Sequence, residues 1–311
     1  MKSLRIGHVD LDTSHPQSWI PIEREMGHVV AGVFDHGDVH PAGYAERFAA
    51  EREIPKVYGS LEEMADDVDL AIIHSCNWDR HIERARPFIE AGKAVLIDKP
   101  MVAKLSDLYT LLEWEKRGAR VTGGSSLYYA EEVQAFFAQP PEERGEARFV
   151  YAGCGVDEFN YGIHAYSLAH VLMGEGAESA RWMGTCDRQI QVEANWPGGR
   201  RAVIAVGKAA AYLPFYATVV TERRVHHIQV NNRNLYRALL SKVLPYLAGE
   251  APAPYPLARL LEVERLAMAA EISRQRHGAR IALDALPLEA PGYDGAAFAA
   301  EYRLSKLQPA R

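Results

Sequence analysis

Short apolar runs alternate with longer helical repeats along the first 124 residues. The runs at residues 29–34 and 94–97 are bounded by polar or glycine residues, which is typical of buried parallel strands. Similar runs occur at residues 5–9, 56–58, 70–74 and 120–122. Residues 16–26 and 105–117 have the apolar spacing and end residues of helices. The alternation predicts an α/β domain over residues 1–124, built on a doubly wound parallel sheet.

The pattern changes after Ser125, where a helical stretch at residues 128–138 is followed by two prolines and then by a series of strands. Those strands are expected at residues 147–156, 179–185, 189–196, 201–206, 216–221 and 224–230. Short turns between most of them favour antiparallel pairing. One helix is expected from about residue 162, and a long one carries the apolar face of residues 260–268. Residues 125–311 are therefore expected to form an α+β domain with an open, predominantly antiparallel sheet.

Composition narrows the class of protein. The 311 residues include 35 basic and 41 acidic side chains, a formal charge of −6, with no basic block to follow a phosphate backbone. We therefore expect no nucleic-acid partner. No apolar run approaches the roughly 20 residues that cross a bilayer, and no secretory pattern opens the chain, so a cytoplasmic location without a membrane partner is expected. The three cysteines are expected to be free thiols.

Two residues suggest a reaction. Lys99 follows the apolar run at residues 94–97, within Asp98-Lys99-Pro100, and His164 opens a helical stretch in the second half. A residue at the end of a buried parallel strand faces the crevice where doubly wound sheets bind ligands, and partial desolvation there suits proton transfer. Each residue alone also has an ordinary structural explanation, as a solvated lysine or a packed histidine. Their order and surroundings favour the catalytic interpretation.

Four segments carry a resemblance to a known family. They are residues 4–9, residues 68–73 with Asn77 and His81, residues 90–100, and Gly162-Ile163-His164. Residues 90–100 are the most specific, because they differ from the family signature only by Asp98 in place of glutamate. The chain resembles the glucose-fructose oxidoreductase, inositol dehydrogenase and rhizopine-catabolism (Gfo/Idh/MocA) family over nearly its whole length.

The resemblance implies a Rossmann-type nucleotide domain and an NAD-dependent oxidoreductase. It implies catalytic roles for Lys99 and His164, and it places Asn160 where the family commonly has aspartate. An amide cannot act as a base, so Asn160 is expected to orient the substrate while Lys99 and His164 handle the proton. Asp157, Glu158, Tyr161 and Tyr128 all remain open as partners of His164.

The expected phosphate-binding loop lacks its glycines. The resemblance places the three loop glycines at Asp10, Asp12 and His15, and carboxylates at a diphosphate would repel it. In one interpretation the pyrophosphate lies further out, on Thr13 and Ser14, with the carboxylates turned away. In a second, Asp10, Asp12 and His15 bind a divalent cation, although the motif is loose and we predict no metal site. In a third, nucleotide binding is lost or weakened.

Other strand ends complete the expected cofactor site. Asp35 ends the second strand, where a carboxylate accepts hydrogen bonds from the adenosine ribose and repels a 2′-phosphate, so NAD is favoured over NADP. The remaining contacts are expected from two segments at the carboxyl edge of the sheet. These segments are Ser75-Cys76-Asn77 and Asp98-Lys99-Pro100.

Three functions remain open from the sequence. The first is an NAD-dependent oxidoreductase acting on a secondary hydroxyl or ketone of a carbohydrate-like small molecule, such as a sugar or polyol. The second is a non-redox binding or regulatory protein that keeps the scaffold, and the third is a lyase or hydrolase that uses NAD transiently. The apolar alternation at residues 201–206 and 216–220 also predicts a homodimer or homotetramer formed through the C-terminal sheet.

Overall fold

The computed structural model describes residues 2–290 and 292–307, with side chains described as far as residue 306. Its first part alternates strands and helices from the start. The elements are β1 (Arg5–Val9), α1 (His15–Glu25), β2 (Val29–Phe34), α2 (Tyr44–Glu51), α3 (Leu61–Asp67), β3 (Leu70–Ile73), α4 (His81–Glu90), β4 (Ala94–Ile97), α5 (Leu105–Lys116) and β5 (Val121–Gly123).

The five strands of this part form one parallel sheet in the order β2-β1-β3-β4-β5. The chain runs to β2 on one side of β1 and to β3 on the other, so a crevice opens at the carboxyl ends of β1 and β3. Such a switch point is where open α/β sheets bind ligands. The segments after β1, β3 and β4 carry most of the residues singled out above.

The second part builds a larger sheet with helices against it. Its elements are α6 (Glu131–Ala138), α7 (Pro141–Arg144), β6 (Ala147–Gly155), α8 (Ile163–Met173), β7 (Ser179–Cys186), β8 (Gln189–Asn195), β9 (Arg201–Gly207), β10 (Leu213–Thr221), β11 (Val225–Gln229), α9 (Leu235–Leu247), α10 (Leu257–Gln275), β12 (Ile281–Ala282) and α11 (Gly295–Leu307). The seven strands run in the order β11-β10-β6-β9-β8-β7-β12. All neighbours are antiparallel except β6 and β9.

The predicted fold class is confirmed, with a parallel sheet followed by an open, mostly antiparallel one. The predicted strand at residues 56–58 is wrong, because that segment makes only an isolated bridge between Val57 and Val33. The two sheets share one hydrophobic core, to which α5, α8 and α10 contribute. A domain boundary at residue 124 stays a prediction. Among the described residues, no helix is both long enough and apolar enough to cross a membrane.

The last helix, α11, has no counterpart in the sequence prediction. It lies against the first sheet's crevice, where Ala299 packs with Val39 and Cys76. The Phe298 ring packs at 5.1 Å from the Trp78 ring, and the Arg303 guanidinium donates to the carbonyl of Gly37 at 3.4 Å. The segments after β2 and β3 are therefore covered by the end of the chain.

Candidate active site in the cleft

A cavity of about 740 Å³ lies between the first sheet and the second part of the chain. Thr13, Ser14, His15 and Lys99 line it from the first sheet's edge, and Asn160 lines it from the loop before α8. α11 also contributes to its wall. The volume falls within the range of small-molecule sites, so the cavity can hold a ligand of sugar size.

Lys99 and Asn160 meet directly across this cleft. The Lys99 ammonium donates to the Asn160 side-chain oxygen at 3.0 Å and to the Asn160 carbonyl at 3.1 Å. The loop that presents Asn160 is held by Asp157, whose carboxylate accepts from the backbone N–H groups of Phe159 and Tyr161 at 3.0 and 2.9 Å. The amide of Asn160 is therefore fixed beside the ammonium at the cavity wall.

His164 lies deeper than its predicted role suggests. Its side chain is buried in the first turn of α8, and Nδ1 shares a 2.7 Å hydrogen bond with the Ser125 hydroxyl. Burial lowers the pKa of His164 well below its ordinary value, and the charges of Lys99 and His15 lower it further. The imidazole is thus neutral, and Lys99 rather than His164 lines the cavity.

Of the four residues left open as partners of His164, the structure brings one ring against it. Tyr161 lies edge-on to the imidazole, with the ring centroids 5.5 Å apart. Asp157 is engaged by the backbone, and the Tyr128 hydroxyl pairs with His170 at 2.6 Å. Ser125, which binds Nδ1, had no signal in the sequence beyond its place after β5.

Asp10 is turned inward, away from any ligand. It has a φ of 62°, the left-handed conformation that a loop glycine would adopt, and is fully buried. Its carboxylate forms an ion pair with Arg84 at 2.5 Å and accepts hydrogen bonds from the His36 ring at 2.8 Å and from the Ser75 hydroxyl. Burial would raise the pKa of Asp10, but the His36 hydrogen bond and the Arg84 charge hold it below its usual value.

Asp12 is buried as well, but less well compensated. One carboxylate oxygen accepts from the Cys76 backbone N–H at 2.8 Å, and the other has no partner among the described residues. Burial, together with the nearby Asp10 charge, raises the pKa of Asp12 to about 7. Neither aspartate faces the cavity. The inward carboxylates agree with the interpretation in which Thr13 and Ser14 form the ligand-facing part of the loop.

The other predicted cofactor contacts are mostly engaged within the protein. Ser75 binds Asp10, and the buried side chain of Asn77 caps the turn at residues 78–80 by accepting from the Asp79 N–H at 3.2 Å. Cys76 and Pro100 are buried and do not line the cavity. Contact between these side chains and a ligand is thus not supported, because each is buried or hydrogen-bonded within the segments that follow the strands.

The His15 side chain extends from the start of α1 to the segment after β4. Its ring Nδ1 contacts the Asp98 carboxylate, which also accepts from the Lys99 backbone N–H at 2.7 Å. Burial would raise the pKa of Asp98, but the charge and the hydrogen bond of His15 hold it well below its usual range. Asp10, Asp12 and His15 do not come together as the cation site considered above. Asp10 pairs with Arg84 and Asp12 binds the Cys76 N–H, whereas the His15 ring lies beside Asp98 and His74.

Residues 15–124 match the model of the oxidoreductase family with an NAD-binding Rossmann fold, GFO_IDH_MocA. Over these residues the chain is similar to the Gfo/Idh/MocA family. The match contains Asp98-Lys99-Pro100, and it confirms the resemblance drawn from the sequence. It ends where β5 leads into the cleft, so the roles of the residues beyond 124 are supported by geometry rather than by the family match.

Relatives of the chain agree with a Gfo/Idh/MocA fold. Trans-1,2-dihydrobenzene-1,2-diol dehydrogenase of Danio rerio is 29% identical over 207 residues, which cover 57% of this chain and only 60% of that enzyme. A probable dehydrogenase of Thermotoga maritima has a TM-score of 0.78 at 15% identity, covering 90% of this chain and 99% of its own. Scyllo-inositol dehydrogenase of Lactobacillus casei with bound NAD(H) and scyllo-inositol has a TM-score of 0.77 at 11% identity, covering 91% and 100%. These two structures establish the fold alone.

The two ends of the crevice differ in their fit to the dinucleotide of the Gfo/Idh/MocA family. The cavity beside Lys99 has room for the reactive end. At the other end, α11 covers the segments after β2 and β3: Ala299 packs with Val39 and Cys76, Phe298 packs on Trp78, and Arg303 donates to the Gly37 carbonyl. α11 therefore lies over the segment that follows Asp35, where the family resemblance places the adenosine ribose.

Proposed function

We propose that the protein is an oxidoreductase acting on a secondary hydroxyl or ketone of a small polyol, sugar or cyclic diol, with NAD as its redox partner. The observation that carries the proposal is the contact of Lys99 with Asn160 at the wall of a cavity of about 740 Å³. Lys99 lies within the family signature at residues 90–100. The relatives named above are dehydrogenases of a cyclic diol and of an inositol, which supports a polyhydroxylated ring as the substrate class.

Lys99, Asn160 and His164 have different roles in the proposed reaction. Lys99 presents an ammonium at the cavity, where it stabilises negative charge on the substrate oxygen as the carbonyl forms. Asn160 holds that ammonium and offers its own amide to a second hydroxyl. His164 is the group that takes the hydroxyl proton in this proposal; it is a neutral ring fixed by Ser125, and burial and the Lys99 charge make it a weak base. The nicotinamide supplies the hydride acceptor when it is bound.

NAD is favoured over NADP within this proposal. Asp35 follows β2, and its carboxylate accepts from the Gly37 N–H at 3.1 Å, which fixes it at the edge of the crevice. A carboxylate there suits ribose hydroxyls and repels a 2′-phosphate. Because α11 packs on the segment that follows Asp35, we expect it to move when either cofactor binds.

The closed crevice favours a second candidate function, the binding of a polyhydroxylated ligand without a nucleotide. The cavity beside Lys99 has room for such a ligand while α11 packs on the segments after β2 and β3. Calorimetric titration separates the two functions. Heat on adding NAD supports the oxidoreductase, and heat on adding inositols to a chain that ignores NAD supports the binding protein.

The activity test incubates the full chain with NAD and a panel of inositols, sugars and cyclic diols, and follows NADH absorbance. We expect turnover of at least one member and a loss of about a hundredfold or more in Lys99→Met. Lys104→Met is the matched control, because Lys104 lies nearby in an exposed pair with Asp79 at 3.0 Å. Absence of both NAD binding and turnover, in the full chain and in a variant with α11 displaced, would refute the proposal.

A further inference from the structure

A chain of buried polar groups that the proposed reaction does not use runs beneath the crevice. It links Glu23, His8, His74, Asp98 and His15, which come from α1, β1, the ends of β3 and β4, and the first turn of α1. His8, Glu23 and His74 are fully buried. Such a chain inside a sheet edge costs desolvation free energy unless every member finds a partner.

With Glu23 ionised and both rings uncharged, the contacts of this chain define one tautomer for His8 and one for His74. The Glu23 carboxylate accepts from His8 Nε2–H at 2.9 Å, which leaves His8 Nδ1 as an acceptor. His8 Nδ1 lies 3.0 Å from His74 Nε2, so His74 donates there. The lone pair of His74 Nδ1 is then left pointing toward Asp98.

His74 Nδ1 is the atom that lacks a partner. It is buried, makes no hydrogen bond within the described residues, and lies 3.6 Å from the Asp98 carboxylate oxygen Oδ2. In this tautomer of His74, a lone pair of Nδ1 faces the Asp98 carboxylate with no proton between them. Asp98 Oδ2 also contacts His15 Nδ1, and one ligand atom from each of the three residues lies within 4.8 Å of the others.

We propose that His15, His74 and Asp98 form a binding site for a divalent transition-metal ion, of the zinc class. Two imidazole nitrogens and one carboxylate oxygen are the donor set that zinc and its neighbours in the first row prefer. A dication between His74 Nδ1 and Asp98 removes the conflict of lone pairs and offsets the carboxylates of Asp98 and Glu23. This inference does not rest on the proposed dehydrogenase activity.

The surroundings match those of metal-binding histidines. Such ligands commonly donate their second ring N–H to a group that fixes the tautomer, as His74 does to His8 and His8 to Glu23. The Trp19 ring lies 5.6 Å from His15 and 5.1 Å from His74, and Tyr236 packs edge-on to His15 at 5.0 Å. This aromatic shell limits water, while His15 also lines the cavity and so connects the site to the cleft.

The test is a titration of the chelator-treated, full-length protein with CoCl₂, read by visible d–d absorption, followed by displacement with ZnCl₂. We expect one Co²⁺ per chain. Affinity should weaken by at least about tenfold in His15→Ala and in Asp98→Asn, each of which removes a ligand. His40→Ala is the matched control, because His40 stacks on Tyr44 at 3.7 Å in the same part of the fold and is outside the cluster.

Thermal unfolding gives a second readout that does not depend on colour. Zinc should raise the Tm of the wild type and of His40→Ala but not that of the two ligand variants, since a ligand stabilises only the state that binds it. No Co²⁺ absorption and no zinc-dependent Tm in the folded wild type would overturn the site. Equal binding by wild type, His15→Ala and Asp98→Asn would also overturn it. Neither measurement contains NAD or substrate, so failure of the metal site and failure of the dehydrogenase proposal are distinguishable.

Discussion

At the scale of a residue, Asp12 makes the free energy of unfolding depend on pH. Its pKa of about 7 lies roughly three units above the ordinary value of 3.8, because burial and the Asp10 charge penalise the carboxylate. The folded state therefore holds this proton more tightly than the unfolded chain does. Stability contributed by the neutral form is complete below about pH 4 and is lost as the pH rises toward 7, up to about 4 kcal/mol in total.

We predict that Asp12→Asn stabilises the protein above neutral pH and has little effect near pH 4. The amide keeps an oxygen for the Cys76 N–H and carries no charge to bury. The measurement is urea unfolding of both proteins from pH 4 to 8, with exposed Asp66→Asn as the control. A difference in free energy of unfolding that stays constant across this range would contradict the raised pKa.

Some site residues could be placed from the sequence and others could not. Lys99 and Asn160 could be placed at the cleft from sequence, since one ends a buried strand and the other stands at a family position. The directions of Asp10 and Asp12 could not, because they depend on Arg84 and on the Cys76 N–H, which are distant in sequence and carry no local signal. His74 was not predicted as a candidate ligand, although a histidine directly after a buried strand is a signal that could have been used.

At the scale of elements, apolar periodicity was sufficient where one face of an element is buried. β1, β2 and β4 begin and end at the residues that the apolar runs predict. The periodicity failed for α11, whose sequence Gly295-Ala296-Ala297-Phe298-Ala299 has few large apolar residues. Its helix is held by a small contact area, in which Ala299 allows close approach to Val39 and Cys76.

We predict that displacing α11 raises the affinity for NAD. Ala299→Arg places a long charged side chain in the buried contact, whereas Ala300→Arg places it at the neighbouring exposed position and serves as the matched control. Calorimetry with NAD should show tighter binding by Ala299→Arg than by the wild type and Ala300→Arg. Limited proteolysis should cut Ala299→Arg faster within residues 295–307. Equal NAD affinity in all three proteins would mean that α11 does not control the crevice.

At the scale of the whole molecule, the second sheet has one face buried by helices and one partly open. Val219 and Ala217 of β10 point to the buried face, while Tyr216, Thr218 and Val220 alternate with them and stay half-exposed. Tyr151 of β6 pairs with Thr218 and with Val203 of β9, so the open face continues across three strands. An open face with this apolar content is a candidate surface for self-association.

We predict a homodimer or homotetramer assembled through this open face, with two-fold symmetry as the simplest arrangement. Val220→Glu introduces a charge on this face and should convert the assembly to monomers. Val29→Glu is the control, because Val29 is exposed on the parallel sheet, away from this surface. Light scattering at micromolar concentration measures the mass of each protein. A wild-type mass near 34.6 kDa would refute the assembly, and a Val220→Glu oligomer of unchanged mass would place its interface elsewhere.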